Sequence, residues 1–259
     1  MLITVAAVVV GLALLTYLVY PGRVATGIAC VAWAALLAGL VDRATQSGHW
    51  PLSNRYEFAM TCAWWGVSVY LLLEAEWRER RAGAFGLAAA ALMLGYAVTR
   101  PEAARVVAPL LPALRSPWLT LHALAAAVGY AVMGVAAGLG LARLMQPRWP
   151  ARLDAAEDLE RMTGRCLALG FPWLTFSILA GAIWAQAAWG RLWAWDPKET
   201  WALIVWLWYL MLLHLRPLPS WRGSRMAALL VIGLVGLMFT FVGVPWLVQQ
   251  VRVESLHGF

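Results

Sequence analysis

The runs ITVAAVVVGLALLTYLVY (Ile3–Tyr20) and VATGIACVAWAALLAGLV (Val24–Val41), joined only by Pro21-Gly22-Arg23, decide the architecture. Each has 18 residues and no charged side chain. As a helix each reaches about 27 Å, close to the roughly 30 Å of a bilayer's hydrocarbon core. Three linking residues allow only a tight antiparallel hairpin. The first run lacks a basic leader and a small-residue cleavage site, so it reads as a retained span rather than a signal peptide.

Six further apolar segments follow: Glu57–Leu73, Ala82–Val98, Trp118–Leu144, Cys166–Ala188, Thr200–Leu215 and Met226–Val244. The expectation is an all-α integral membrane protein of about eight transmembrane helices, one polytopic domain over residues 1–259. The composition agrees: 63% of the 259 residues are hydrophobic and 13% charged, against about a quarter charged in soluble domains. Helix starts are marked by Ser116-Pro117, by Asn54…Glu57 and by Asp196-Pro197…Glu199, the last two with capping-box spacing.

A net charge of +7 does not point to nucleic acid, because 19 of the 20 basic residues are Arg scattered through short loops. They orient the chain instead. One set of alternate loops carries twelve basic residues and the other eight, among them Arg43. The positive-inside rule then puts the loop after the sixth span and both chain ends outside, with 146–165 as a cytoplasmic connector. Cys30, Cys62 and Cys166 form no CxxC pair and read as buried small hydrophobes.

Between the sixth and seventh spans lies WGRLWAWDPKETW (Trp189–Trp201), with Trp189, Trp193, Trp195 and Trp201 in thirteen residues. Trp often collects at membrane interfaces, and Asp196 with Glu199 serves to start a helix. The density of rigid π faces beside charges argues for more than a belt. A large planar ligand with charged substituents suits it, haem first. Trp189, Trp193 and Trp195 are the expected contacts, and Arg55, Arg191, Lys198 or Arg252 the candidate partners of its propionates.

Four histidines exist: His49, His122, His214 and His257. His122, about one turn inside the fifth span, is followed by Ala123, Ala125, Ala126, Ala127 and Gly129, a flat face for either a macrocycle or close helix packing. An intramembrane ionisable group is a functional candidate by default, and haem iron takes axial imidazole. His214, 18 residues after Asp196, lies nearly a bilayer away, roughly 27 Å of helix. It reads either as a helix-end charge or as a ligand at a second site. His49 lies in an outer loop, as decoration or as a further ligand.

Taken together, Trp189–Trp201, the helix ending Leu213-His214-Leu215-Arg216, the loop Gly48–Glu57, the segments Trp118–His122 and Gly129-Tyr130-Ala131, and the ending Leu256-His257-Gly258 resemble the CcsA (ResC) family of cytochrome c-type biogenesis, with its "WWD" motif. The resemblance implies His122 and His257 as outer axial ligands beside Trp189, Trp193, Trp195, Asp196 and Trp201, and His214 at an inner site. It also implies haem b as substrate and a CcsB (ResB)-type membrane partner supplying the missing inner imidazole. Haem would be joined to a CxxCH apocytochrome c outside the bacterial cytoplasmic membrane, with no separate catalytic residue and with synthetase activity that depends on the partner. The Trp-rich loop 189–201 and the tail 245–259 would be external. Two other classes compete: a haem exporter that makes no thioether, as in the CcmC branch, and a b-type cytochrome subunit, for which the histidines are too dispersed.

Overall fold

The computed structural model describes residues 2–107, 110, 114–151 and 153–251. Among them the chain is helical without a strand: α1 (Leu2–Val19), α2 (Arg23–Ser47), α3 (Arg55–Trp77), α4 (Gly83–Thr99), α5 (Pro117–Met145), α6 (Ala156–Trp189), α7 (Pro197–Leu215), α8 (Ser224–Met238) and α9 (Val244–Val251). By length and composition, six helical runs suffice to cross a membrane: α1, α2, α3, α5, α6 and Ser224–Gln250. Helix α4 is a shorter apolar helix. Each expected span is a helix, and the chain is a multi-pass membrane protein.

Helix α5 is the axis. It packs against α3, α4, α6 and α8, while α1 and α2 pair with each other and reach the bundle through α4 and α3. Its Ala and Gly residues make this possible, because lipid tails already satisfy apolar side chains and close backbone approach supplies the packing. A Cβ on Gly138 would stand 1.9 Å from the Phe85 carbonyl oxygen of α4. A Cβ on Gly129 would stand 2.7 Å from Leu174 Cδ2 of α6. Thus Ala125, Ala127 and Gly129 are consumed by packing, whereas Ala123 and Ala126 face a cavity.

Three boundaries depart from the sequence expectation. Helix α2 runs on to Ser47, so Arg43 is not a loop charge. It is buried, with its Nε 2.8 Å from the Glu57 carboxylate, and it donates to the carbonyls of Arg105 (2.6 Å) and Val106 (3.2 Å). Helix α6 begins at Ala156, so half of the 146–165 connector is already helical. Glu157 and Asp158 sit in its first turn, where the helix dipole favours negative charge. At the other end α8 continues through a π turn (Phe239–Gly243) into α9, and the chain stays helical to Val251. Pro245 has no N–H to offer the Phe241 carbonyl, and a widened turn accommodates that loss.

Buried carboxylates tie the elements together. Glu57 accepts from Arg43 and from the N–H and hydroxyl of Ser53. Only half of the expected Asn54–Glu57 capping box forms, because Asn54 caps the Glu57 N–H while the Glu57 side chain turns to Ser53 and Arg43. Glu74 accepts from Tyr17, Thr26 and Arg80, joining α1, α2 and α3. Asp154 accepts from the N–H groups of Arg81 (3.1 Å) and Ala82 (2.7 Å), pinning the α5–α6 connector ahead of α4.

Two outcomes follow from these carboxylates. Removing one member of a buried ion pair strands the other, so Glu57→Ala is expected to lower unfolding stability by about 3–5 kcal/mol in a denaturant titration. A hydrogen bond to Asp154, reinforced by burial, raises the Glu79 carboxyl above its ordinary value. The folded chain therefore holds that proton more tightly than the unfolded chain. The contribution is fully present below the ordinary Glu value and is lost as pH rises through the raised one. Thermal unfolding across that window should show this decline in the parent and a flatter profile in Glu79→Gln.

Candidate functional site

The α6–α7 connection is short, and its local chemistry explains its shape. Gly190 ends α6 in the left-handed conformation that a side chain disfavours. Asp196 caps α7 by accepting from the Lys198 N–H at 2.9 Å, with Pro197 at the first helical position. Glu199 reaches back and accepts from the N–H groups of Asp196 (3.3 Å) and Ala194 (2.8 Å), completing the capping box. Trp195 also takes a positive φ of 56°, which turns its ring out to 68% exposure. The acidic pair therefore builds the loop, and Asp196 does not line the cavity.

Beneath this loop a cavity opens between α3, α5, α6, α7 and the π turn. Mouth included, it encloses about 1430 Å³ of empty space. The volume open to a guest within it is about 210 Å³, under the roughly 300–1,000 Å³ of ordinary small-molecule sites, so a macrocycle would also occupy the mouth. Its deep wall is aromatic: Phe58 packs edge-on to Tyr130 (5.6 Å between centroids) and tilted on Phe241 (5.3 Å), a ring the π turn directs inward. Trp206 lies against Phe171 and donates to Thr175 at 2.8 Å, bracing α7 on α6.

His122 of α5 lines this cavity. Its Nδ1 lies 2.7 Å from the Ser177 carbonyl oxygen on α6, and Ser177 Oγ lies 3.2 Å from the His122 carbonyl. A carbonyl only accepts, so Nδ1 carries the proton and Nε2 keeps its lone pair. Among the described residues Nε2 has no hydrogen-bond partner. At the loop side stand Trp193, Lys198 and Arg55. Trp193 Nε1 is buried without a partner among the described residues, and neither Lys198 nor Arg55 makes an ion pair there. A buried orphan donor beside two cations suits a guest with carboxylates. The donor set thus fits haem: one imidazole lone pair, flat aromatic walls and a rim with Lys198 and Arg55, where the Glu199 carboxylate is already taken up by loop N–H groups.

The other expected site residues are distributed differently. Trp189 packs on buried Trp184 (4.6 Å), and Trp184 itself lines the cavity. Trp195 stands edge-on to Trp193 at 5.9 Å, and Trp201 packs against Phe239 at 4.5 Å; neither lines the cavity. Arg191 is exposed outside it. His49 turns its Nδ1 to the Trp50 carbonyl at 2.9 Å, away from the cavity. His214 sits exposed in the last turn of α7, its Nδ1 2.8 Å from the Leu210 carbonyl. It is at the opposite end of α7 from the capping box. Arg252 and His257 lie outside the described residues. Sequence reasoning missed Trp184, Trp206, Ser177 and Gly181, none of which carries a motif or a local signal.

Residues 52–252 match the family described as cytochrome c assembly protein, a stretch that holds the cavity, the Trp loop and His214 but not the α1–α2 hairpin. The chain is similar to the cytochrome c biogenesis protein CcsA of Parasynechococcus marenigrum, 36% identical across 81% of this chain and 79% of that one. It is similar also to CcsA of Chlamydomonas reinhardtii, 35% identical across 85% of this chain and 64% of that one. Among solved structures the fold resembles the cytochrome c haem lyase CcmF, with a TM-score of 0.63 and 18% identity, covering 99% of this chain and half of that one.

If Asp196 is a cap rather than a ligand contact, Asp196→Ala should cost about 0.5–2 kcal/mol of unfolding stability. Thermal unfolding followed by circular dichroism measures it.

Proposed function

The chain belongs to the cytochrome c assembly protein family, and on that premise we propose that it presents haem b for covalent attachment to apocytochrome c. The observation that carries this reading is His122, which offers a bare Nε2 to an aromatic cavity rimmed by Trp193, Lys198 and Arg55. Nε2 is the axial ligand to iron. Trp193, Trp184 and Trp206 border the macrocycle, while Lys198 and Arg55 are the propionate partners because they line the cavity. His257 supplies the second axial imidazole, by its match to the family's C-terminal His. The other expected Trp residues support the loop rather than the ligand.

The chemistry asks for little acid–base machinery. Each thiol of a CxxCH segment adds across a vinyl group: an S–H bond and a C=C π bond are lost, and a C–S and a C–H bond form, with no net oxidation. Holding reduced haem beside the thiols supplies the rate through proximity. The imidazole of the CxxCH segment then displaces one axial His and releases the product.

In this reading the Trp end faces the outer side of the bacterial cytoplasmic membrane, as the Arg distribution directs. His214, exposed at the other end of α7, serves an inner haem site completed by a CcsB (ResB)-type partner. The buried orphan donor and paired cations at the rim favour a carboxylate-bearing ligand held for reaction over a bare passage.

The test uses the chain co-expressed with a CcsB-type partner. The purified complex should show a Soret band and attach haem covalently to a CxxCH peptide. His122→Ala should lose most of both, and added imidazole should restore the absorbance. Full peptide attachment by His122→Ala without imidazole would overturn the ligand assignment. Haem release with no thioether would establish the exporter reading instead.

A further inference from the structure

Beyond the ligand itself, the structure assigns a positioning device for His122 to one stretch of α6, Ser177 to Gly181. The inference rests on reading His122 as an iron ligand. The two residues act in different ways. The Ser177 carbonyl, 2.7 Å from Nδ1, holds the proton on that nitrogen. Ser177 Oγ, 3.2 Å from the His122 carbonyl, ties the two helix backbones at the same level. Gly181, one turn further along α6, leaves room for the ring: a Cβ there would stand 2.7 Å from Nδ1 and 3.0 Å from Cε1.

A ligating His normally donates its second N–H to a carbonyl or carboxylate, which sets tautomer and ring plane and raises ligand basicity. Here that acceptor is a main-chain carbonyl inside a helix. No side-chain substitution removes it. What a substitution can change is the space, and Gly181 is where that space is set. The ring lies between the Ser177 carbonyl and the bare Gly181 surface, so Nε2 faces the cavity with a fixed direction rather than a range of rotamers. Trp184 and Trp193 line the same cavity and would border a bound macrocycle.

The competing account is that Gly181 only permits close packing of α5 on α6. Gly170 provides the comparison. It lies on the same helix against α5, with a Cβ position 3.0 Å from Met133 Cε, and it lines no part of the cavity.

The experiment has two arms. In the first, full-length haem-free chain labelled with ¹⁵N-histidine is compared with His122→Ala, so that the difference isolates the two ring nitrogens of His122. A protonated Nδ1 and a bare Nε2 are expected; a proton on Nε2 would overturn the proposal. In the second, haem binding and absorption are measured for Gly181→Ala and Gly170→Ala. Gly181→Ala should bind haem about tenfold more weakly, the lower end of what outer-sphere substitutions cost. The haem it keeps should lose low-spin character, and added imidazole should restore it. Gly170→Ala should lower thermal stability while leaving the spectrum of bound haem unchanged. A folded Gly181→Ala with parental affinity and spectrum sinks the proposal, as would an identical spectral change in Gly170→Ala. If Gly181→Ala does not fold, the nitrogen shifts of the parent still decide. Absence of haem binding by the parent co-expressed with a CcsB-type partner would refute the proposed function, an outcome distinct from any in the first arm.

Discussion

Close backbone approach along α5 is the constraint on which the rest depends. In a bilayer the apolar side chains of neighbouring helices gain nothing by leaving lipid, so packing and hydrogen bonding must hold the bundle. The Ala and Gly residues of α5 let α4, α6 and α8 come near, and at Gly138 the α4 backbone occupies the place of a side chain. One consequence is structural: α5 is the buried axis. The other is chemical. Helices α5 and α6 lie close enough at their loop ends for the imidazole of one to reach a main-chain carbonyl of the other.

Polar groups supply the specificity that small residues cannot. Arg43 and Glu57 bind the end of α2 to the start of α3 and to the backbone at Arg105 and Val106. Through Ser53 and Asn54, the same cluster fixes the turn from which Arg55 enters the cavity rim. Glu74 and Asp154 anchor other helix junctions. Each such carboxylate is surrounded by donors, as a charge taken out of water must be. Their sequence appearance, a few acids beside apolar runs, gives no sign of partners such as Arg43, Tyr17, Thr26 and the Ala82 N–H, which come from other segments.

The Trp-rich loop illustrates how function and folding share residues. Of its four Trp, Trp193 alone lines the cavity, and the buried acid beside them starts a helix. Trp184 and Trp206, outside the motif, take the remaining wall positions. A loop that rich in aromatic rings is legible as a site, yet which ring faces inward depends on one positive φ at Trp195 and on where α6 ends.

Hydrophobic run length determined the helices, their number and the multi-pass membrane class, because a bilayer leaves the backbone almost no other way to satisfy its hydrogen bonds. The capping signals at Asp196 and Pro197 were local, and so they too could be read from the chain. Only the tertiary structure decided that Arg43 is buried, that α6 starts before its apolar run, and that Ser177 and Gly181 hold His122. Those facts join residues as much as 63 positions apart. The reason is physical: run length and caps act within one helix, whereas a cavity wall, a buried ion pair and a proton's place on an imidazole are set by which helix stands opposite.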